Sequence, residues 1–184
     1  LEKPEYDAVY CGWRKNNKEI IPTKEGDLTY EVLSGDTIVI TNSIMMKKNA
    51  ALEIGGWDER FRRNQEAAFL LRYFKRGYKI GVISEKLVEF DMSDRSNVSN
   101  PRKNEIDIEF LLQKYEEQVI KCEEKIPKAR KIIYSKRYRA VFLNYLKNKE
   151  YMGAVLFYLK VLKRVPLKFN YELFRYIKNR LTGT

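Results

Sequence analysis

The chain has 184 residues and a mass of 22.0 kDa, enough for one domain or one and a fraction. Its 44% hydrophobic and 13% aromatic content excludes a disordered chain. The 36 basic residues against 25 acidic ones leave a net charge of +11, and the lack of any histidine removes imidazole as base, nucleophile or metal ligand.

Tyr6–Trp13 is short, aromatic and β-branched, and it predicts a strand. A polar turn at Arg14–Lys18 leads to a second strand at Glu19-Ile20-Ile21. Asp27 caps a short helix to Leu33, stopped before Gly35. Thr37–Met46 predicts a buried strand, and Lys47–Ile54 a short helix ended by Gly55-Gly56. Asn64 is the expected N-cap of the clearest helix, whose Ala67, Leu70, Leu71, Phe74 and Tyr78 fall on one apolar face. Lys79–Ile83 and Lys86–Phe90 predict two short strands, and Asp91–Asn97 a polar loop.

Beyond Pro101 the pattern is helical: Arg102–Lys121, Pro127 to about Lys147, Tyr151–Lys163, and Asn170–Leu181. Charge divides at the same place. Residues 1–100 carry 16 basic and 16 acidic side chains, whereas residues 101–184 carry 20 basic and 9 acidic ones. Two segments, 1–100 and 101–184, are therefore expected. Cys11 and Cys122 fit neither a disulfide framework nor a metal site, as befits core thiols in a reducing compartment. No run of about 18 apolar residues is present to span a bilayer. Leu1-Glu2-Lys3-Pro4-Glu5 is neither a signal peptide nor an initiating Met, so the chain reads as a piece of something longer.

The stretch from Gly55 to Arg72 carries the chemistry. A Gly-Gly turn, an aromatic and an acidic pair lead through a basic loop into a capped helix, with Glu66 in its first turn. A helix dipole holds a carboxylate ionised there, worth about 0.3–1 kcal/mol, and an ionised carboxylate at a pocket mouth serves as a general base. The same placement is also an ordinary helix-stabilising device.

Thr41-Asn42-Ser43, then Gly55-Gly56-Trp57-Asp58-Glu59-Arg60-Phe61, then Gln65-Glu66 with Leu70-Leu71-Arg72, then Gly77-Tyr78-Lys79-Ile80, stand in an order that resembles the acceptor half of family 2 glycosyltransferases of the GT-A fold. The resemblance covers about residues 6–100 and rests on order and spacing more than on any single motif. It implies a partial, Rossmann-like GT-A domain, α/β in class, followed by an α-helical C-terminal region. The second residue of the family's acidic dyad is the catalytic base, and Glu66 occupies that position. The chain departs from the family in carrying Glu there in place of Asp, followed by Ala67-Ala68. Trp57, Asp58, Glu59 and Gln65 are implied on the acceptor side, with Ser43 at a strand end nearby. In relatives a polar segment matching Phe90–Asn97 closes over the donor pyrophosphate. Arg95 is its candidate phosphate partner and Asp91 a candidate ligand for a divalent ion.

The D-x-D metal motif of the family would lie upstream of Leu1, so Mn²⁺ or Mg²⁺ belongs to the full-length enzyme, and the piece alone is expected to lack turnover. The implied partners are a nucleotide-sugar donor and a saccharide or lipid-linked acceptor, and the implied role is bacterial cell-surface polysaccharide synthesis. From Lys125 onward 16 basic residues face 2 acidic ones, interleaved with aromatics. That composition suits peripheral contact of residues 125–184 with the cytoplasmic face of the cell membrane, or plain helical packing with solvated lysines. No RNA- or DNA-binding module is recognisable, so nucleic acid is not an expected partner. The competing class is a non-catalytic membrane- or protein-interaction module, a degenerate relative of the transferase.

Overall fold

Ala8–Lys15 forms the strand, β1, around which the first half of the chain is built. Its first residues, Ala8, Val9, Tyr10 and Cys11, are all buried, which is why the segment reads as a continuous apolar run rather than an alternating one. In the computed structural model, which describes residues 5–15, 18–37, 39–90 and 100–182, β1 is paired on both edges. β4 (Ile80–Phe90) runs parallel along its whole length. On the other edge, β2 (Lys18–Ile20) returns antiparallel against Trp13–Lys15, and β3 (Ile44–Met46) lies antiparallel against Ala8–Tyr10. The class is mixed α/β.

Gly12 sits where the β1–β4 register shifts, and a Cβ there would lie 2.8 Å from the carbonyl oxygens of both Glu85 and Ile20. The bulge takes up extra β4 residues, with Cys11 opposite Ile83 and Gly12 already opposite Lys86. The two short strands expected at 79–90 are thus one irregular strand.

α1 (Thr29–Ser34) and α3 (Gln65–Lys75) pack together. Asp27 Oδ1 accepts from the Thr29 amide and hydroxyl, and Gly35 at φ 77° ends α1. The long strand expected over 37–46 does not form. A 3₁₀ turn, Thr41–Ser43, interrupts it, because Ser43 Oγ donates to the Ile40 carbonyl and accepts from the Ile40 amide. Only Ile44–Met46 remains as strand, followed by α2 (Lys48–Glu53). Asn64 precedes α3 in the left-handed region, at φ 57°, with no side-chain cap. It serves through its carbonyl, which accepts from the Ala68 amide. The helix is also buried on more than the one expected face: Ala68, Phe69, Leu70, Leu71, Tyr73 and Phe74 are all inside.

Two compact units divide the chain, Leu1–Asn97 and Val98–Thr184. The second is all helical: α4 (Pro101–Lys114), α5 (Glu116–Lys125), α6 (Ala129–Lys147), α7 (Tyr151–Leu162) and α8 (Pro166–Thr182). Asn100 Oδ1 caps α4 by accepting from the Lys103 amide, with Pro101 in the first position. The single helix expected over 102–121 bends at buried Tyr115. The backbone ladder continues through the bend, from the Tyr115 amide to Leu111 and from the Val119 amide to Tyr115. The helix expected to open at Pro127 opens at Ala129, after Lys128 at φ 64°.

α6 is the hub against which α4, α5, α7 and α8 all pack. It contributes Ile133, Tyr138, Val141 and Tyr145 to the core, met by Leu111, Val119, Phe157, Val161 and Phe169. Gly153 lets α7 approach α6 closely, since a Cβ there would lie 2.7 Å from the Tyr145 ring. Cys11 and Cys122 are buried and are not joined in a disulfide. Among the described residues no helix is long and apolar enough to cross a membrane.

Candidate functional site

Glu66 lies in the first turn of α3, half-buried, and its Oε1 accepts a 2.6 Å hydrogen bond from the Thr41 hydroxyl. Thr41 opens the 3₁₀ turn that Ser43 ties to Ile40. Ser43 itself is buried and engaged with that backbone. Two segments remote in sequence therefore meet at one carboxylate. Among the described residues no further hydrogen bond or ion pair engages Glu66 Oε2.

The loop before α3 is built from within. Gly55 and Gly56 adopt φ of 77° and 61°, a conformation that side chains beyond glycine rarely take. The Asp58 carboxylate, 5% exposed, receives Arg60 Nε and an Arg60 terminal nitrogen, both at 2.9 Å, with Arg72 at 3.9 Å. Arg72 also donates to the Gly56 carbonyl at 2.5 Å, so α3 clamps the turn. Asp58 is consequently engaged by Arg60 of the loop and by Arg72 of α3. Phe61 is buried beneath, its amide bonded to the Asp58 carbonyl.

Trp57 remains 44% exposed and stacks on Phe69, with ring centroids 4.5 Å apart. Phe69 is three residues beyond Glu66, hence on the same side of α3. Glu59 and Gln65 are exposed. Asp91 and Arg95 lie outside the described residues. The resemblance places Thr41-Asn42-Ser43 near the site, but the bond from Thr41 to Glu66, and Arg60 and Arg72 as partners of Asp58, are seen only in the structure. The Asp-Glu-Arg run offers a signal for Arg60, whereas the Thr41 bond spans 25 residues and no local pattern shows it.

Among the described residues no group of three or more Asp, Glu or Cys side chains is placed to hold a metal ion.

In the second unit the surplus positive charge is partly consumed internally. Lys160 bridges Glu105 at 2.7 Å and Glu109 at 3.1 Å, and Arg164 reaches Glu109 at 2.8 Å and the Tyr138 hydroxyl at 2.7 Å. Burial alone would raise the Glu109 carboxyl, but Arg164 and Lys160 outweigh it and hold it below its ordinary value. Glu172, 1% exposed, is surrounded by Arg175 at 2.6 Å, Arg139 at 3.3 Å and Lys168 at 3.6 Å. A cleft of about 720 Å³ opens beside this network, lined by Glu109, Glu116, Arg130, Tyr134 and Arg164. Its cations and carboxylates pair with one another, as Arg130 with Glu116 at 2.6 Å.

Comparison with protein-family models, with curated proteins and with solved structures finds no match. The assignment of function therefore rests on the residues themselves.

Proposed function

We propose that this chain is the acceptor-side part of an inverting glycosyltransferase of family 2 and GT-A type. It would move a sugar from a nucleotide-sugar to a saccharide or lipid-linked acceptor in cell-surface polysaccharide synthesis. The observation that carries the reading is Glu66: a first-turn carboxylate with one oxygen fixed by the Thr41 hydroxyl at 2.6 Å and, on its side of the helix, an exposed Trp57 ring stacked on buried Phe69. A base needs that combination of orientation and access.

In this account Glu66 Oε2 takes the proton of the acceptor hydroxyl as the hydroxyl oxygen attacks the anomeric carbon. The bond from that carbon to the nucleotide diphosphate breaks on the opposite face, its electron pair leaves with the diphosphate, and configuration inverts. The Trp57 ring offers an apolar surface to a sugar face, and Glu59 and Gln65 offer hydrogen-bonding groups to its hydroxyls. Asp58 and Ser43 act one step back, holding the loop and the turn. An upstream half with a D-x-D motif would supply the nucleotide site and its Mn²⁺ or Mg²⁺, and no step above runs through that ion.

The test is a donor screen on the protein encoded together with its upstream sequence, reading released nucleotide. Acceptor-dependent release from one donor class is expected. No release from any nucleotide-sugar, by a folded protein, would overturn the reading. The competing reading, a non-catalytic interaction module, draws its support from the apolar outer faces of α7 and α8, which the transferase account leaves unused.

A further inference from the structure

We propose that the outer face of α7 and α8 is a docking surface for an anionic lipid bilayer. Both helices pack on α6, and each turns its buried residues toward it: Ala154, Phe157 and Val161 from α7, Phe169 and Glu172 from α8. The opposite side of α7 carries Met152, Val155, Leu156 and Leu159. The opposite side of α8 carries Leu167, Tyr171 and Phe174. These seven side chains are 52–86% exposed, where a helix packed on a core ordinarily shows charge. The Tyr158 hydroxyl donates to Asn170 Oδ1 at 3.0 Å, joining the helices so that both apolar stripes belong to one layer.

Charge selects the occupant. Residues 151–182 contain seven basic side chains and one acidic one, Glu172. Lys160, Arg164, Lys168 and Arg175 pair with Glu105, Glu109 and Glu172, and the layer keeps a net positive charge after those pairs are counted. Glu172 is buried under Arg139 and Arg175, so among the described residues of α7 and α8 themselves no carboxylate faces outward, the exposed Glu150 standing at the N-cap of α7. An apolar stripe bordered by more cations than carboxylates matches the boundary between acyl chains and anionic headgroups. A second copy of the same face would instead bring like charges together. Lys163, exposed at the end of α7, lies between the two helices in the chain. The helices are too short and too charged to cross, so they lie in the interface plane. The proposal is independent of sugar transfer: either can fail while the other stands.

The test is co-sedimentation of the full chain with phosphatidylcholine vesicles, with and without phosphatidylglycerol, at low and high salt. Binding at least ten-fold stronger with phosphatidylglycerol, and weakened by salt, is expected. The exposed-site double variant Leu156→Glu with Phe174→Glu is expected to lose binding at least ten-fold while keeping the wild-type circular dichroism. Leu156→Gln with Phe174→Gln, tested alongside, gives the same readout should the charged pair disturb folding. Binding that ignores phosphatidylglycerol, or that survives in both variants, overturns the proposal. So does an absence of vesicle binding, whether or not the chain self-associates.

Discussion

The Thr41 hydroxyl donates to Glu66 Oε1 at 2.6 Å across 25 residues of chain, joining a 3₁₀ turn to the first turn of a helix. The bond fixes one carboxylate oxygen and leaves the other as the one able to take a proton. A hydrogen bond to a charged group contributes about 1.5–3 kcal/mol. Thr41→Val is therefore expected to lower kcat for transfer by about ten- to a hundred-fold with little change in KM. Thr41→Ser, which keeps the hydroxyl, should recover most of it. Steady-state kinetics of the two variants decide the matter, and equal rates in Val and Ser would remove Thr41 from the site.

The Asp58 clamp makes a prediction about stability. Its carboxylate is nearly enclosed, whereas Arg60 is 70% exposed. Asp58→Ala leaves Arg72 facing a buried gap and should cost about 2–4 kcal/mol. Arg60→Ala should cost under about 1 kcal/mol. Urea denaturation of both variants gives the comparison, and equal losses would contradict the clamp.

Gly12 and Gly153 predict a difference in kind. A methyl group at Gly12 meets two backbone carbonyls that cannot turn away, so Gly12→Ala should cost about 3 kcal/mol or more. At Gly153 the obstacle is the Tyr145 ring, tethered by its hydroxyl to Glu105 at 2.7 Å, and Gly153→Ala should cost about 1–3 kcal/mol. Denaturant midpoints test both. Full stability of Gly12→Ala would mean that β1 is not paired on both edges.

The second unit should be limited at both ends of the pH scale. Glu109 is held below its ordinary value of 4.5 when folded, so on acidification the unfolded chain takes up that proton first. The stability it contributes is present above 4.5 and is lost as pH falls through the lower folded value. Tyr134 and Tyr145 are pushed up to about 12, chiefly by burial and then by their bonds to Glu116 and Glu105. Their contribution is complete below the ordinary 10 and is lost as pH rises toward 12. Thermal melts across pH, with tyrosinate absorbance followed in parallel, should show part of the tyrosine signal appearing only with unfolding. Titration of every tyrosine near 10 in the folded chain would contradict these environments.

The sequence made the local signals legible and hid the long-range ones. β1, α1, α3 and the helical second half follow from apolar runs and turn residues that act over a few positions, although Asn64 enters α3 without the side-chain cap expected of it. The strand expected at 37–46 failed because apolar content cannot show that Ser43 will close on Ile40. The two strands expected at 79–90 merged because the bulge belongs to the pairing with Gly12, not to β4 alone. At the site, Glu66 stood out by its position in a first turn, but the Thr41 bond and the Arg72 clamp join residues 25 and 16 positions from their partners. Composition shows the charge of the tail but not its pairing: Lys160 and Arg164, both exposed, and Arg139 pair with the carboxylates of Glu105, Glu109 and Glu172.

Sugar transfer by Glu66→Gln in the full-length protein, measured against wild type with folding checked by circular dichroism, bears most directly on the central claim. Glutamine keeps the shape and the bond from Thr41 but cannot accept a proton. A fall of several orders of magnitude in kcat with an unchanged fold is the result this account predicts. Transfer at a near-wild-type rate would contradict it.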